Sequence, residues 1–173
     1  ATAAGLVGFA IGSQTGGSIV GPSIRCGVTG LVPSFSRVSR SGAMVLAWSL
    51  DRLGPICRYV EDTGVVLAAI NGRDVSDPSS LGIPFEFDAT AGIGGMKLGF
   101  VPELFETAEV NDVERASLQA ARGLGIKMVE LKLSISQPVD ELARTIMYSE
   151  GAAAFDELLL TGKDREFVQQ GRS

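Results

Sequence analysis

The alternation of apolar and polar positions is clearest in the second half of the chain, where it predicts a β-α-β unit. The run MKLGFV, residues 96–101, is a compact strand candidate. A helix follows, with Asn111 as N-cap, Glu114 three residues later in a variant of the capping box, and Gly123 at its end. Residues 126–133 alternate between apolar and polar, which is typical of a half-exposed strand. The fold class indicated is α/β.

Two other segments have helical patterns. The stretch YVEDTGVVLAAING predicts a helix that ends at Gly72. Five of its residues suit one buried stripe: Val60, Val65, Val66, Leu67 and Ile70. The C-terminal stretch, residues 140–170, predicts two helices that are broken around Gly162.

The first third of the chain has no sustained helical period. Residues 5–11 are apolar and bounded by turn signals, which predicts a buried strand or the end of a buried helix. Pro22, Pro33 and Pro55 are each expected to block regular structure nearby. We therefore predict ordered loops and short strands from residue 12 to residue 58.

Composition adds limits on partners and compartment. The chain has 173 residues, 45% of them hydrophobic and 20% charged, which is ordinary for one soluble globular domain. A net charge of −5 argues against nucleic acid or an anionic membrane as the main partner of this segment. The apolar run near the N-terminus is too short to span a bilayer. We expect a cytoplasmic protein.

The absence of histidine from the sequence removes several kinds of site. A Ser-His-Asp or Cys-His catalytic unit cannot form within this chain, and neither can a zinc site built on cysteine and histidine. Cys26 and Cys57 could pair only if the fold brought them together, and we expect two reduced, mostly buried thiols. No metal and no cofactor are expected.

The glycine-rich stretch GSQTGGSIVGPS, residues 12–23, is the main candidate for chemistry. A phosphate-binding Walker A loop requires a lysine after its second glycine, and Ser18 stands there instead. A serine that follows two glycines could instead be a nucleophile beside converging backbone N–H groups. It would need a base, and no lysine has an S-x-x-K spacing from this loop. From these residues alone, a structural turn remains the simplest interpretation.

A longer pattern changes this balance. GSQTGGSIVGPS is followed by RCGVTGLVPSFSRVSRSG and then by SLDRLGPICRYVED, and together they resemble the amidase signature family around and after its catalytic serine. The strand MKLGFVPELF also resembles that family. The resemblance is strong to about residue 74 and looser beyond. It implies a mixed β-sheet flanked by helices, and hydrolysis or transfer of the nitrogen of non-peptide amides through an acyl-enzyme with a Ser-cisSer-Lys triad.

The resemblance also assigns roles by position. It implies that Ser18 is the acylated nucleophile and that the backbone amides of Thr15, Gly16, Gly17 and Ser18 form the oxyanion hole. The lysine and the cis-serine of the family lie upstream of this segment. The chain is therefore expected to be a single partial amidase domain that lacks both, with the signature and nucleophile in residues 1–74. A strand-helix-strand unit and terminal helices are expected in residues 75–173.

Some residues differ from the family pattern or have more than one interpretation. Gln14 stands in place of Asp or Glu, Val20 in place of Arg, Val32 in place of Lys or Arg, and Ser34 in place of Thr. Arg25 could orient a substrate carboxylate or form a salt bridge. Four residues in the family frame are expected to be ion-pair partners that hold loops: Arg37, Arg40, Asp51 and Arg58.

Three other interpretations concern single side chains. Trp48 and Phe35 could line a substrate pocket, although core packing is the simpler expectation. Glu61 and Asp62 are adjacent carboxylates, and we expect them to act as charges at a helix N-terminus rather than as an acid/base pair.

Two functions remain open. In the first, the chain is a segment of an amidohydrolase, or of the amidase subunit of an aminoacyl-tRNA amidotransferase, that acts on a small-molecule amide and is inactive alone. Its partners would be amidotransferase subunits or a second copy of itself. In the second, the chain is a non-catalytic, amidase-like binding or relic protein.

Overall fold

A computed structural model of the chain describes residues 1–107, 110–134 and 138–166. The chain divides into two compact units, Ala1–Phe87 with Asp140–Ser173, and Asp88–Val139. In chain order the strands and α-helices are β1 (Phe9–Gln14), α1 (Val20–Cys26), β2 (Thr29–Gly30), β3 (Arg52–Cys57), α2 (Val60–Ile70), β4 (Lys97–Phe100), α3 (Asp112–Gly123), β5 (Lys127–Glu130) and α4 (Val139–Leu160). Short 3₁₀ turns cover Pro102–Phe105 and Lys163–Glu166. The predicted α/β class is confirmed.

The first unit is built on a three-stranded antiparallel sheet in the order β1-β3-β2. β3 is central, and its Gly54 lies opposite Gly12 of β1. The helix α1 connects β1 to β2, and α2 follows β3 after a short turn. Ile19, Pro55 and Cys57 are the largest fully buried side chains, and Val66 and Leu67 of α2 are also buried, so the core of this unit lies along the central strand β3.

Two of the three prolines contradict the prediction that proline blocks regular structure here. Pro22 lies in the first turn of α1, where a backbone N–H has no partner within the helix. Pro55 lies inside the central strand β3. Its carbonyl accepts a hydrogen bond from the Leu31 N–H at 2.9 Å. Since N–H and C=O of one strand residue face the same side, its imino nitrogen faces the side where β2 has already ended.

The strand predicted from residues 5–11 begins further along the chain, as β1, and it is not buried. Its exposure alternates along the strand, and Phe9 and Ile11 are both about half exposed. A continuous apolar run predicts a strand covered on both faces, whereas β1 has one face turned outward and a period of two residues.

The helix α2 confirms the prediction for residues 59–72, but its buried face differs from the predicted stripe. Thr63, Gly64, Val66 and Leu67 are buried, whereas Val60 and Val65 are exposed. Thr63, Val66 and Ile70 follow true i, i+3, i+7 spacing, and the Thr63 hydroxyl donates to the Val60 carbonyl at 2.6 Å. A threonine that satisfies its hydroxyl within the helix can occupy the inner face, which apolarity alone does not predict. Glu61 and Asp62 lie in the first turn, as expected.

The second unit contains the predicted β-α-β arrangement. β4 and β5 pair in parallel, with Leu98 opposite Met128, and α3 connects them. The capping box of α3 is complete, because the Asn111 side chain accepts from the Glu114 N–H at 3.0 Å and the Glu114 carboxylate accepts from the Asn111 N–H at 2.9 Å. These local signals need no tertiary context, and the prediction is confirmed.

The C-terminal region forms α4, which ends at Leu160, and Gly162 then takes a left-handed φ of 70°. Only a 3₁₀ turn at Lys163–Glu166 follows within the described residues, and residues 167–170 of the predicted second helix lie outside them. α4 packs against the loop before β3, where the Ser49 N–H donates to the Glu150 carboxylate at 2.9 Å. In the described part of the chain, no helix has the length and apolarity to cross a membrane.

The two cysteines are separate thiols. Cys57 is buried and Cys26 is exposed, and both are free. Burial raises the pKa of the Cys57 thiol, and the nearby Asp62 carboxylate adds to the rise. The expected burial holds only for Cys57, because Cys26 is exposed at the end of the short helix α1.

Candidate active site

The glycine-rich stretch forms a tight connection between β1 and α1. β1 ends at Gln14, four residues turn the chain, and Ile19 is the N-cap of α1. Gln14 is only 7% exposed, and its side-chain oxygen accepts from the N–H groups of Ile19 at 2.9 Å and Val20 at 3.0 Å. Ile19 cannot cap the helix with its own side chain, so Gln14 supplies the missing acceptor from the preceding strand. Its amide oxygen can do this without a negative charge.

Replacing Gln14 by alanine is expected to destabilise the chain by about 1–2 kcal/mol, because two buried N–H groups at the start of α1 lose their acceptor. Gln14→Glu is the matched control. The substitution places a carboxylate oxygen where the amide oxygen of Gln14 lies, beside a helix N-terminus that favours negative charge. Urea unfolding followed by circular dichroism measures both. Equal stability of Gln14→Ala and the unchanged chain would contradict the capping role.

Asp51 connects the glycine-rich turn to the loop that precedes β3. One carboxylate oxygen accepts a short hydrogen bond from the Thr15 hydroxyl. The other accepts from the N–H groups of Leu46 at 2.8 Å and Ala47 at 3.0 Å. Asp51 is buried, and among the residues that the structure describes these three donors satisfy its charge without a cation. The prediction that Asp51 is an ion-pair partner is therefore wrong, since hydroxyl and backbone donors take the place of the arginine.

A cavity of about 340 Å³ opens beside the turn, and Ser13, Thr15 and Ser18 line one side of it. The exposed Ser18 side chain is on the wall. Much of the remaining lining comes from the loops before β3 and after α2: Arg40, Ser41, Ala43, Met44, Val45, Leu46, Trp48, Ser76, Asp77 and Pro78. Asp51 and Leu53 complete the lining. A cavity of this size is at the lower end of those that hold small molecules.

Arg40 and Asp77 form the charged rim of this cavity. The Arg40 guanidinium lies 3.7 Å from the Asp77 carboxylate, donates to the Ser79 hydroxyl at 2.7 Å and to the Trp48 carbonyl, and stacks 4.8 Å from the Phe35 ring. The Ser79 hydroxyl, with the Arg40 N–H, lowers the pKa of the Asp77 carboxyl to about 2. Arg40 is thus the ion-pair partner that the sequence predicts, and the acidic member comes from the connector after α2.

Two other arginines of the same frame hold loops in a different way. Arg37 donates to the Asn71 side chain at 3.2 Å and lies over the Phe85 ring. Arg58 donates to the carbonyls of Thr2 at 3.0 Å and Val7 at 2.9 Å. These contacts are to amide oxygens and an aromatic ring, so the predicted role of holding loops stands while the ion pairs do not.

A second cavity, of about 320 Å³, also borders the glycine-rich turn. Its lining combines the turn with the start of α4: Thr15, Gly16, Leu50, Asp140, Ala143, Arg144 and Met147. Thr15 lines both cavities, so the turn borders both of them. No lysine is among the described residues that line either cavity.

Predicted site residues line both cavities. Ser18 and Thr15 line the first cavity, and Gly16 lines the second. Gly17 lies between Gly16 and Ser18 in the turn, and its carbonyl accepts from the Gly21 N–H at 2.7 Å as α1 begins. Arg25 is exposed in the last turn of α1 and lies outside the lining of both cavities.

Sequence reasoning misses most of the cavity lining from the loops before β3 and after α2. Trp48 lines the cavity and is 47% exposed, so the expectation of core packing is wrong. Phe35 is used as a platform for Arg40. Met44, Asp77 and Pro78 have no distinctive pattern around them. The only signal at Asp77 is the DPSS turn, in which a carboxylate accepts from a residue two positions later, here Ser79.

The fold and the site together are those of an α/β protein that presents a serine, on a glycine-rich turn, to a cavity of small-molecule size. The family model described as "Amidase" matches residues 1–170, and the chain belongs to this amidase signature family. Among its relatives, a glutamyl-tRNA(Gln) amidotransferase subunit of Staphylococcus aureus (strain bovine RF122 / ET3-1) is 41% identical over 140 residues, which are 77% of this chain and 29% of that protein.

Solved structures give the same family. The native peptide amidase from Stenotrophomonas maltophilia superposes with a TM-score of 0.74 at 31% identity, covering 92% of this chain and 34% of that one. The corresponding glutamyl-tRNA(Gln) amidotransferase subunit from Thermotoga maritima gives a TM-score of 0.72 at 29% identity, covering 91% and 35%. The chain therefore spans 29% of the length of the curated relative named above, and about a third of each of these two solved chains.

Proposed function

We propose that this chain supplies the nucleophile segment of an enzyme that cleaves a non-peptide carboxamide. The Ser18 hydroxyl oxygen attacks the amide carbon and forms the acyl C–O bond, while its proton passes to the departing nitrogen as the C–N bond breaks. Ammonia or an amine leaves, and water then releases the acid by hydrolysing the ester. The observation that carries the proposal is the position of Ser18, on a glycine-rich turn at the wall of a 340 Å³ cavity, in a member of this family.

The turn would also stabilise the negative charge that develops on the amide oxygen. Four successive backbone N–H groups, from Thr15 to Ser18, would serve as the oxyanion hole, and two of these residues are glycines that let a ligand approach closely. Gln14 and Asp51 hold the two ends of the turn. Such fixed donors would act without reorganisation when the charge appears.

The general base would come from outside the lining of the two cavities. The sequence has no histidine, and no lysine lines either cavity in the described part of the chain. The amidase signature pattern supplies a lysine through a cis-serine, and we propose that the same pair activates Ser18. The complete site would form when the polypeptide that carries them is present.

The relatives leave two versions of this chemistry. In a hydrolase, water takes the acyl group, and ammonia or an amine is a by-product. In an amidotransferase, the released ammonia is passed on, and subunits of the assembly would be partners of this chain. The S. aureus and T. maritima relatives are subunits named for the second version, and the S. maltophilia relative is named for the first.

Labelling with a fluorophosphonate tests the nucleophile. We expect the full gene product that contains these residues to react covalently with the probe at Ser18, and Ser18→Ala to lose both labelling and amide turnover by at least about a thousand-fold. Ser13→Ala is the matched control, because Ser13 lines the same cavity and should leave labelling within about two-fold. Turnover that survives in Ser18→Ala would refute the assignment. Absent labelling with a folded full-length protein would support a non-catalytic relic instead.

A further inference from the structure

Most of the large apolar side chains that line the 340 Å³ cavity come from one short loop. Met44, Val45, Leu46 and Trp48 form this apolar wall, and Pro78 extends it from the connector after α2. Met44 and Trp48 are 78% and 47% exposed, so both side chains are accessible to a ligand in this cavity. This wall faces the same space as Ser18.

The charges that line the cavity are all committed to partners within the protein. Arg40 is occupied by Asp77, the Ser79 hydroxyl, the Trp48 carbonyl and the Phe35 ring. Asp77 accepts from the Arg40 N–H at 2.8 Å and from the Ser79 N–H and hydroxyl at 3.0 and 2.6 Å.

Asp51, the third charge, accepts from the Thr15 hydroxyl and from two backbone N–H groups. With two carboxylates and one guanidinium, the lining has a net charge of −1. A bound carboxylate would therefore meet no uncommitted cation and a repulsive field, and a bound ammonium would meet carboxylates that are already saturated.

We propose that this wall is a specificity subsite for an uncharged, apolar group of the amide substrate, of aliphatic or aromatic kind and a few carbons long. The inference rests on the proposed function of Ser18, since it takes the substrate to be a carboxamide. The subsite would favour such a substrate over amides that carry a carboxylate at the end far from the amide group. Apolar lining with saturated polar groups favours a neutral ligand, because no buried charge has to be left unpaired. The volume of about 340 Å³ accommodates a substrate of small-molecule size.

A matched set of amides tests the subsite through an internal reporter. Trp48 is the only tryptophan in the chain, so its emission reports occupancy of this cavity directly. Hexanamide, adipamate and 5-aminopentanamide share the same run of methylenes beyond the amide carbon and end in a methyl, a carboxylate and an ammonium. We expect hexanamide to shift the Trp48 emission saturably, with a dissociation constant at least ten-fold lower than either charged analogue.

Variants at Met44 separate the subsite from non-specific binding. Met44 is largely exposed, so its replacement should not affect folding, which thermal unfolding will verify. Met44→Lys is expected to weaken hexanamide and to bring adipamate to equal or higher affinity, because it places a free cation at the rim. Met44→Leu, the control, should keep the preference of the unchanged chain.

Three results would overturn the subsite. They are a charged analogue that binds as tightly as hexanamide, an emission that no amide shifts saturably, and a Met44→Lys variant with an unchanged preference. The proposed function is judged separately by probe labelling of Ser18. Amide binding without probe labelling would refute Ser18 as the nucleophile and leave the subsite standing. Probe labelling without a preference for hexanamide would refute the subsite and leave the nucleophile standing.

Discussion

Gly54→Ala is expected to lower the free energy of unfolding of the first unit by about 3 kcal/mol or more. Gly54 is buried in the central strand β3, where three elements meet. A Cβ on Gly54 would overlap the carbonyl oxygen of Leu31, and it would lie 2.8 Å from Pro33 Cδ and 3.3 Å from Ile19 Cδ1. A backbone carbonyl and a proline ring cannot move aside as a flexible side chain can, so the strand itself must shift.

Urea unfolding of the purified chain measures this effect, and Gly8→Ala is its matched control. Gly8 directly precedes β1, and a Cβ there would meet no atom within 4 Å, so we expect a change below about 0.5 kcal/mol. Because whole domains are stable by only about 5–15 kcal/mol, Gly54→Ala could also reduce soluble expression. A variant as stable as the unchanged chain would show that β2 and β3 are not packed as described.

The β-α-β unit could be predicted because its signals are local. Asn111 and Glu114 cap a helix by contacts three residues apart, and the apolar pattern then changes from helical period to the alternation of a strand in residues 126–133. No knowledge of distant segments is required. The helix α2 could be predicted for the same reason, although its inner face could not.

The cavity lining from the loops before β3 and after α2 could not be predicted, because it depends on contacts between residues that are distant in sequence. Arg40 pairs with Asp77 across 37 residues, and Thr15 bonds Asp51 across 36. Neither pair has a characteristic spacing. Pro55 in a central strand is a similar case, since the strand tolerates it only where β2 stops. Local propensity gives way to tertiary context at each of these points.

The role of Ser18 is suggested by resemblance rather than by chemistry. A serine after two glycines satisfies only the nucleophile's geometry, and the sequence offers no nearby base. Gln14 shows the opposite situation. In the sequence it is a departure from the family pattern, and in the structure its amide oxygen accepts from the N–H groups of Ile19 and Val20. That contact needs an acceptor but no charge, so an amide can replace a carboxylate there.

Asp51→Ala is expected to have the second large effect, on stability and on the site together. The change removes the acceptor of the Thr15 hydroxyl and of the N–H groups of Leu46 and Ala47, which leaves the buried Ala47 N–H and two part-buried donors without that partner. A lost acceptor of three bonds costs about 3–5 kcal/mol, less than the sum of single bonds because the loop can relax. Asp156→Ala, an exposed carboxylate on α4, is the control and should change stability by less than about 0.5 kcal/mol.

The same variant separates a structural role from a role in the site. Asp51 is the link between the turn that carries Ser18 and the loop that carries Trp48, so its loss should free both walls of the cavity. We expect the emission of Trp48 in the folded Asp51→Ala chain to shift toward that of a solvated indole, and probe labelling of Ser18 in the full gene product to fall at least ten-fold. Asp51→Asn keeps one acceptor oxygen, so its emission and its labelling should lie between those of the unchanged protein and those of Asp51→Ala. Normal stability with unchanged emission and labelling in Asp51→Ala would contradict the link, because a buried carboxylate with three donors cannot be removed without consequence if those bonds hold the walls together.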